Sequence, residues 1–405
     1  MATNVRRRIE AVTEDVSVTP LELFFDLVFV YALTQVTSLM AAHPSARGVL
    51  EGMVVLALVW WCWECYSWLG NAVKADEGWA RAAFFAVMAT MFVAALSIPE
   101  SFGDLDGGLS GPLVLAICYG VARAVHLGLY AVAALSARDA GLLNQLIRFG
   151  TVMSVSVAVI VVGALVGGDA QLGLWMAAAA VDYVGTQLIG AAGWRLPSPR
   201  HFSERHGLIV IVALGESIVA IGVGVAGVPV STSVILASVL GIALSAAMWW
   251  TYFDVTALAA EKVLARRDES ERPRLARDAY TYIHLPMIAG IVVAALGLKK
   301  VLSYVGGDGA HGWDDSLGGV PLVALHLGPA LFLLAMVAFR LRMIRSLGVA
   351  RLCAAVLLGV STVLGAQIGA LLDLTLVCGV MVALIAFEAL QYAESRRRIR
   401  HDGRG

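Results

Sequence analysis

Pro20-Leu21-Glu22-Leu23-Phe24-Phe25-Asp26-Leu27-Val28-Phe29-Val30 opens an apolar run that continues to Ala41. A helix needs about 20 mostly apolar residues to cross the hydrocarbon core of a bilayer. Residues 20–41 therefore read as a membrane span. The span carries two acids, Glu22 and Asp26, one helical turn apart on one face. An ionised carboxylate in hydrocarbon costs roughly 2.5 kcal/mol or more, so these acids need partners or a wet cavity.

The same pattern continues along the chain. Further apolar segments fall at 49–70, 79–98, 111–135, 142–166, 171–194, 205–227, 232–256, 278–301, 319–343, 347–368 and 371–393. The chain of 405 residues is 59% hydrophobic and 15% charged, where a water-soluble domain carries about a quarter charged residues. Its mean hydropathy is +0.81. The reading is an all-α polytopic membrane helix bundle of about twelve transmembrane helices. Most connections are too short to hold a folded domain; the longest are the charged 257–277 and the Gly/Asp-rich 302–318. No short hydrophobic core closed by a small-residue cleavage site follows Arg6-Arg7-Arg8, so the first segment is expected to remain a span. The five cysteines, Cys62, Cys65, Cys118, Cys353 and Cys378, are scattered through apolar stretches and suggest neither a disulfide framework nor a zinc site.

Lys and Arg placement sets the orientation. With the N-terminus inside, the cytoplasmic side receives Arg6–Arg8, Lys74, Arg81, Arg138, Arg195, Arg200 and Arg205. It also receives the basic residues of 257–277, then Arg340, Arg342, Arg345 and Arg351, and the tail Arg396-Arg397-Arg398. The outside keeps Arg47, Lys299 and Lys300, and its loops are acidic around Glu100–Asp106 and Asp314-Asp315. An even number of spans with both ends in the cytoplasm fits, and the expected location is a cytoplasmic (inner) membrane.

Internal similarity divides the chain. Trp60-Trp61-Cys62-Trp63 reappears as Trp249-Trp250-Thr251-Tyr252, Ala80–Phe84 as Ala276–Tyr280, and Pro112-Leu113-Val114 as Pro321-Leu322-Val323. The separations are 189, 196 and 209 residues, in order along the chain. Six spans per half give both halves one orientation, so the pattern reads as two parallel six-helix repeats. The expected organisation is a cytoplasmic segment 1–19, a first half 20–196, a second half 197–393 and a basic cytoplasmic tail 394–405.

Charges inside the spans are the candidate functional residues. Beside Glu22 and Asp26 these are Glu64 in the second span, and Arg123 and His126 in the fourth, on a stripe with Tyr119 and Tyr130. Arg148, Asp182, Glu204, Arg205, His206, Glu216, Asp254 and His284 complete the set. His326 and Glu388 are further polar positions within spans. Most of the candidates lie toward the cytoplasmic side, which suggests a polar chamber open there. Arg123, His126, Asp182 and Glu216 reach the middle of the membrane. The structural alternatives are snorkelling or helix capping for Glu22, Arg205 and Asp254, an interfacial belt for Glu64, and a static buried ion pair for the deep charges. Gly222-Val223-Gly224-Val225-Ala226-Gly227 fits a dinucleotide pattern, but it closes an apolar span with no strand before it and reads as helix packing.

Three segments carry a family resemblance. Thr19–Val30, His201-Phe202-Ser203-Glu204-Arg205-His206-Gly207 with Leu214-Gly215-Glu216-Ser217, and Trp249–Asp254 are similar to motifs of the bacterial low-temperature-requirement A (LtrA) family. The resemblance implies a multi-spanning bacterial membrane protein and singles out Glu22, Phe25, Asp26, His201, Glu204, Arg205, His206, Gly207, Gly215, Glu216 and Asp254. It implies no substrate.

Three functions are compatible with these observations. The first is a secondary transporter coupled to protons or ions, suggested by duplicated halves, intramembrane acids and histidines, and no ATP-binding motif. The second is an intramembrane enzyme using Glu, Asp, His and Arg for acid–base chemistry on a lipophilic substrate. The third is a channel or receptor. No cofactor is expected. Metal is not expected either, because no ligand spacing proposes one. The expected partners are membrane lipids and a small solute, ion or lipophilic substrate. Nucleic acid is not expected, and the basic loop and tail suit anionic lipid heads.

Overall fold

The computed structural model describes residues 17–307, 311–312 and 314–391; Arg6–Arg8 and the tail from 394 lie outside the described residues. The described residues are helical and hold no strand. The helices are α1 (Pro20–Ala42), α2 (Ala46–Ala72), α3 (Gly78–Ser97), α4 (Gly111–Ala137), α5 (Ala140–Val166), α6 (Gly168–Ile189) and α7 (Pro199–Gly224). They continue with α8 (Thr232–Phe253), α9 (Thr256–Ala265), α10 (Arg272–Ala276), α11 (Ile283–Gly306), α12 (Gly319–Ile344), α13 (Val349–Gly365) and α14 (Ala370–Gln391). Among the described residues, eleven helices are long and apolar enough to cross a membrane. The segment expected at 347–368 forms α13, an apolar helix of 17 residues, shorter than those eleven. The connection 257–277 is not a bare loop. Thr256–Ala265 is rich in helix formers, and Ala260 and Leu264, four apart, are buried together on one face.

Contacts divide the chain into two compact units. The first comprises residues 17–35, 53–205 and 267–277; the second comprises 36–52, 206–266 and 278–391.

In the first unit, α3, α4, α5 and α6 pack in sequence, each on the next. Short connections make this arrangement. Arg138, with φ of 53°, stops α4 in the left-handed region, and the next residue, Asp139, caps α5 by accepting from Leu142 N–H at 3.1 Å. Thr19 and Glu22 begin α1 with a reciprocal cap. Thr19 N–H and hydroxyl both donate to Glu22 Oε2 at 3.0 Å, and Glu22 N–H donates to Thr19 Oγ1 at 3.3 Å. Pro20 stands between them at the first helical position, where its missing N–H costs nothing.

In the second unit, α11 and α12 are backbone to backbone. A Cβ on Gly290 would come within 2.8 Å of the Gly328 carbonyl, and one on Gly328 would strike the Ala294 backbone. α12 also packs on α13, and α14 on α8 and α13. Arg351 clamps three helices. Its Nε and Nη2 donate to both oxygens of Glu388 at 2.7 and 3.0 Å, and its Nη1 donates to Thr256 Oγ1 at 3.2 Å. Ahead of α11 the chain makes a π-helical stretch, Arg277–Tyr282. Pro286 follows four residues after Tyr282 and has no N–H for its carbonyl, so the irregular turn lies where the α-helical ladder is already broken.

Candidate functional site

The first unit joins the two most specific sequence motifs, which lie 179 residues apart. Glu22 and Asp26 project from one face of α1. His201 and Arg205, four apart on α7, project onto them. Arg205 Nη1 is 3.0 Å from Glu22 Oε1, and Nη2 donates to Asp26 Oδ1 at 2.8 Å. Trp63 Nε1 donates to the same Asp26 oxygen at 2.8 Å, and its ring lies 5.6 Å from the guanidinium. His201 Nε2 is 3.0 Å from each Glu22 oxygen. Exposure of Glu22, Asp26, His201 and Arg205 is between 0 and 2%, so snorkelling does not account for them, while Glu22 caps α1 and joins the cluster as well. Gly70 makes the room: a Cβ there would collide with Glu22 Oε1.

A second layer fixes the histidine. Asn71 Nδ2 donates to the Ser198 carbonyl at 2.5 Å, and Ser198 N–H donates to Asn71 Oδ1 at 3.3 Å. This pairing orients the amide. Asn71 Nδ2 then stands 3.4 Å from His201 Nδ1, a donor facing that nitrogen. A lone pair on Nδ1 and an Nε2–H given to Glu22 satisfy both contacts. Arg205 Nε is buried with no hydrogen-bond partner.

Arg123 and Asp182 form a separate pair in the same unit. Arg123 Nη2 donates to Asp182 Oδ1 at 2.6 Å, while Tyr119 and Ser156 hydroxyls donate to Oδ2 at 2.9 and 2.7 Å. Both carboxylate oxygens are thus engaged and the charge is matched one to one. His126 stands apart from the pair, in a box of Tyr66, Tyr130 and Phe149 with centroids 5.7, 5.1 and 6.2 Å away.

The remaining candidates are dispersed. Glu64 is buried on α2, whereas Arg148 is exposed on α5 and joins neither cluster. Glu204 is half-buried, paired with Arg200 at 2.8 Å and accepting from Val18 N–H. In the second unit, His206 and His284 lie with Tyr280 in a ring cluster, with the two histidine centroids 5.3 Å apart. His284 Nδ1 meets the Ala279 carbonyl at 3.1 Å and Nε2 meets Tyr252 hydroxyl at 3.0 Å. Glu216 is buried and within electrostatic reach of Lys299. Asp254 is half-buried at the C-cap of α8. Among the described residues no group of three or more His, Cys, Asp or Glu side chains is arranged to hold a metal ion, and the five cysteines are free thiols.

Sequence reasoning did not single out Trp63, Asn71 and Ser198 as site residues. Asn71 had one legible signal, a lone amide at the end of an apolar span. Asp373, which pairs with His326 in the second unit, had the corresponding signal of an acid four residues into an apolar segment.

Comparison with known proteins agrees with the motifs. A Rhizobium meliloti (strain 1021) protein, the uncharacterized protein RA0937, is 31% identical over 298 residues, covering 68% of this chain and 67% of the relative. No solved structure matches the chain significantly. Residues 17–386 match the family described as bacterial low temperature requirement A protein (LtrA). The chain, a multi-pass membrane protein with many apolar helices, therefore belongs to the LtrA family.

Proposed function

We propose that this protein is a proton-coupled secondary transporter of the bacterial cytoplasmic membrane, with Glu22, Asp26, His201 and Arg205 as its ion-binding site. The observation that carries the proposal is the buried cluster itself: two carboxylates meet one arginine, and His201 Nε2 is 3.0 Å from each Glu22 oxygen. Two acids this close in a buried site repel each other, and a proton or a monovalent cation taken up between them lowers that cost. The site therefore has a built-in reason to bind and release a cation. Arg205 Nε, buried without a partner, offers a donor to an anionic or polar solute.

In this reading the helices cross the membrane twelve times as two parallel six-helix halves, 20–196 and 197–393, with both termini in the cytoplasm. The Lys and Arg distribution supports that orientation. The twelfth crossing is α13, whose 17 residues span about 25 Å against a hydrocarbon core of about 30 Å. The bilayer would thin slightly around it. Membrane lipids and a small solute are the proposed partners, with the basic segment 257–277 against anionic lipid heads.

The test is reconstitution in liposomes loaded with a pH-sensitive dye and challenged with a panel of solutes. The expected result is solute-dependent proton flux that disappears in Asp26→Asn. Folded protein with no flux for any solute, or flux unchanged in Asp26→Asn, overturns the proposal.

A further inference from the structure

The second unit buries a histidine–carboxylate pair that the proposed transport site does not use. His326 stands in the third turn of α12 and Asp373 in the first turn of α14, both at 0% exposure. His326 Nε2 is 2.8 Å from Asp373 Oδ1. On the other side of the ring, Nδ1 is 3.1 Å from the Leu358 carbonyl and 3.0 Å from Ser361 Oγ, both on α13. Ser361 Oγ also donates to that carbonyl, at 2.9 Å. The fit is close: a Cβ on Gly365 would lie 2.5 Å from Asp373 Oδ1 and 2.7 Å from His326 Nε2. Asp373 Oδ2 is buried with no hydrogen-bond partner.

Hydrogen-bond accounting gives this group two self-consistent states. In the first, Nδ1–H donates to the Leu358 carbonyl and one more proton is shared between Nε2 and Asp373, so the pair is electrically neutral. In the second, the proton on Nδ1 has left to solvent. Nε2–H then donates to an ionised Asp373, and the Ser361 hydroxyl turns from the Leu358 carbonyl to give its proton to Nδ1. No donor or acceptor of the ring is stranded in either state. The positive end of α14 lies at Asp373 and offsets the charge of the second state.

The charged groups on the packed elements are few. α8 carries none between Thr232 and Phe253, and α13 carries Arg351, committed to Glu388 on α14. α11 carries Lys299 and Lys300, and α12 carries Arg340 and Arg342 in its last turns. Asp314 and Asp315 precede α12 and meet the start of α14, where the Asp315 carbonyl accepts from Ala370 N–H.

We infer that His326, Asp373 and Ser361 form a reversible site for one proton, with the serine hydroxyl as the element that switches. A static helix clamp would show the same distances but would not exchange a proton.

The experiment counts protons released by the purified full-length chain in detergent as the medium goes from about pH 5 to about pH 9. Asp373→Asn should release one proton fewer. Nitrogen NMR of histidine-labelled protein, with His326→Gln for assignment, should show His326 Nδ1 passing from N–H to a bare nitrogen over that range. Ser361→Ala keeps both titrating groups and removes the donor the second state needs, so it should cut the bare-nitrogen population about fivefold. Equal proton counts in wild type and Asp373→Asn overturn the inference, as does a His326 Nδ1 that keeps one form throughout. No solute flux enters the measurement, so its outcome stands apart from that of the transport proposal.

Discussion

Arg123 and Arg205 are both fully buried arginines of the first unit, and their carboxylate partners are equally dry. Arg123 faces one acid, Asp182, whose oxygens also accept from Tyr119 and Ser156. Arg205 faces two acids, and His201 stands beside it on the Glu22 oxygens. The first arrangement is matched in charge with both carboxylate oxygens hydrogen-bonded, the form expected of a pair that locks helices together, although Arg123 Nε, like Arg205 Nε, is buried without a hydrogen-bond partner. The second sets two carboxylates against one arginine, the form expected of a site that takes up and gives back a cation. Burial is the same in the two arrangements; the ratio of carboxylates to arginine is what differs.

The comparison can be broken most forcefully at the matched pair. Asp182→Asn strands the Arg123 charge and should cost about 3–5 kcal/mol, read from thermal unfolding in detergent. The double variant Arg123→Met/Asp182→Leu should recover most of that loss. If the double variant is as unstable as the single one, the pair is not the simple lock described. At the unmatched site, Asp26→Asn leaves Glu22 and Arg205 in one-to-one balance. Its stability cost should be smaller, about 1.5–3 kcal/mol for the weakened charged hydrogen bonds, while proton flux in liposomes is lost. Trp63→Phe removes one donor from Asp26 and should cost about 1 kcal/mol, with flux reduced but present. Ser156→Ala should be the mildest, about 0.5–1 kcal/mol, with flux at the wild-type level. A flux defect in Ser156→Ala would mean that the Arg123–Asp182 pair takes part in transport after all.

Hydropathy alone gives the approximate limits of the long helices, because bilayer thickness imposes their length, but it counts twelve spans where eleven helices among the described residues are long enough. The same criterion is silent on α9 and α10, which are too short for a span, and on the π-helical stretch before α11. Site residues were legible as charges within apolar runs, so Glu22, Asp26, Arg123, Asp182 and Arg205 stand out in the sequence. Their pairing was not legible. Helical period says which face of its own helix a residue occupies, not which helix that face meets. Arg148 illustrates the limit: it sits in an apolar run like Arg123, yet it is exposed. The tautomer of His201 was also out of reach, since it depends on Asn71 and on a backbone segment 127 residues away from it.

The π-helical stretch Arg277–Tyr282 has a consequence for how this segment tolerates insertions and deletions. A wide turn of this kind holds one residue more than an α-helical turn would. Deleting a single residue within 277–282 is therefore expected to leave a helix, not a break. The helix beyond the deletion would keep its phase, because the regular turn that replaces the wide one closes the same rotation with one residue fewer. His284 would keep its place against the Tyr252 hydroxyl, whereas the same deletion in a regular turn of a helix rotates everything beyond it by about 100°. The wide turn thus acts as slack in the chain, a stretch that can lose a residue and still present the same face of α11 to its neighbours.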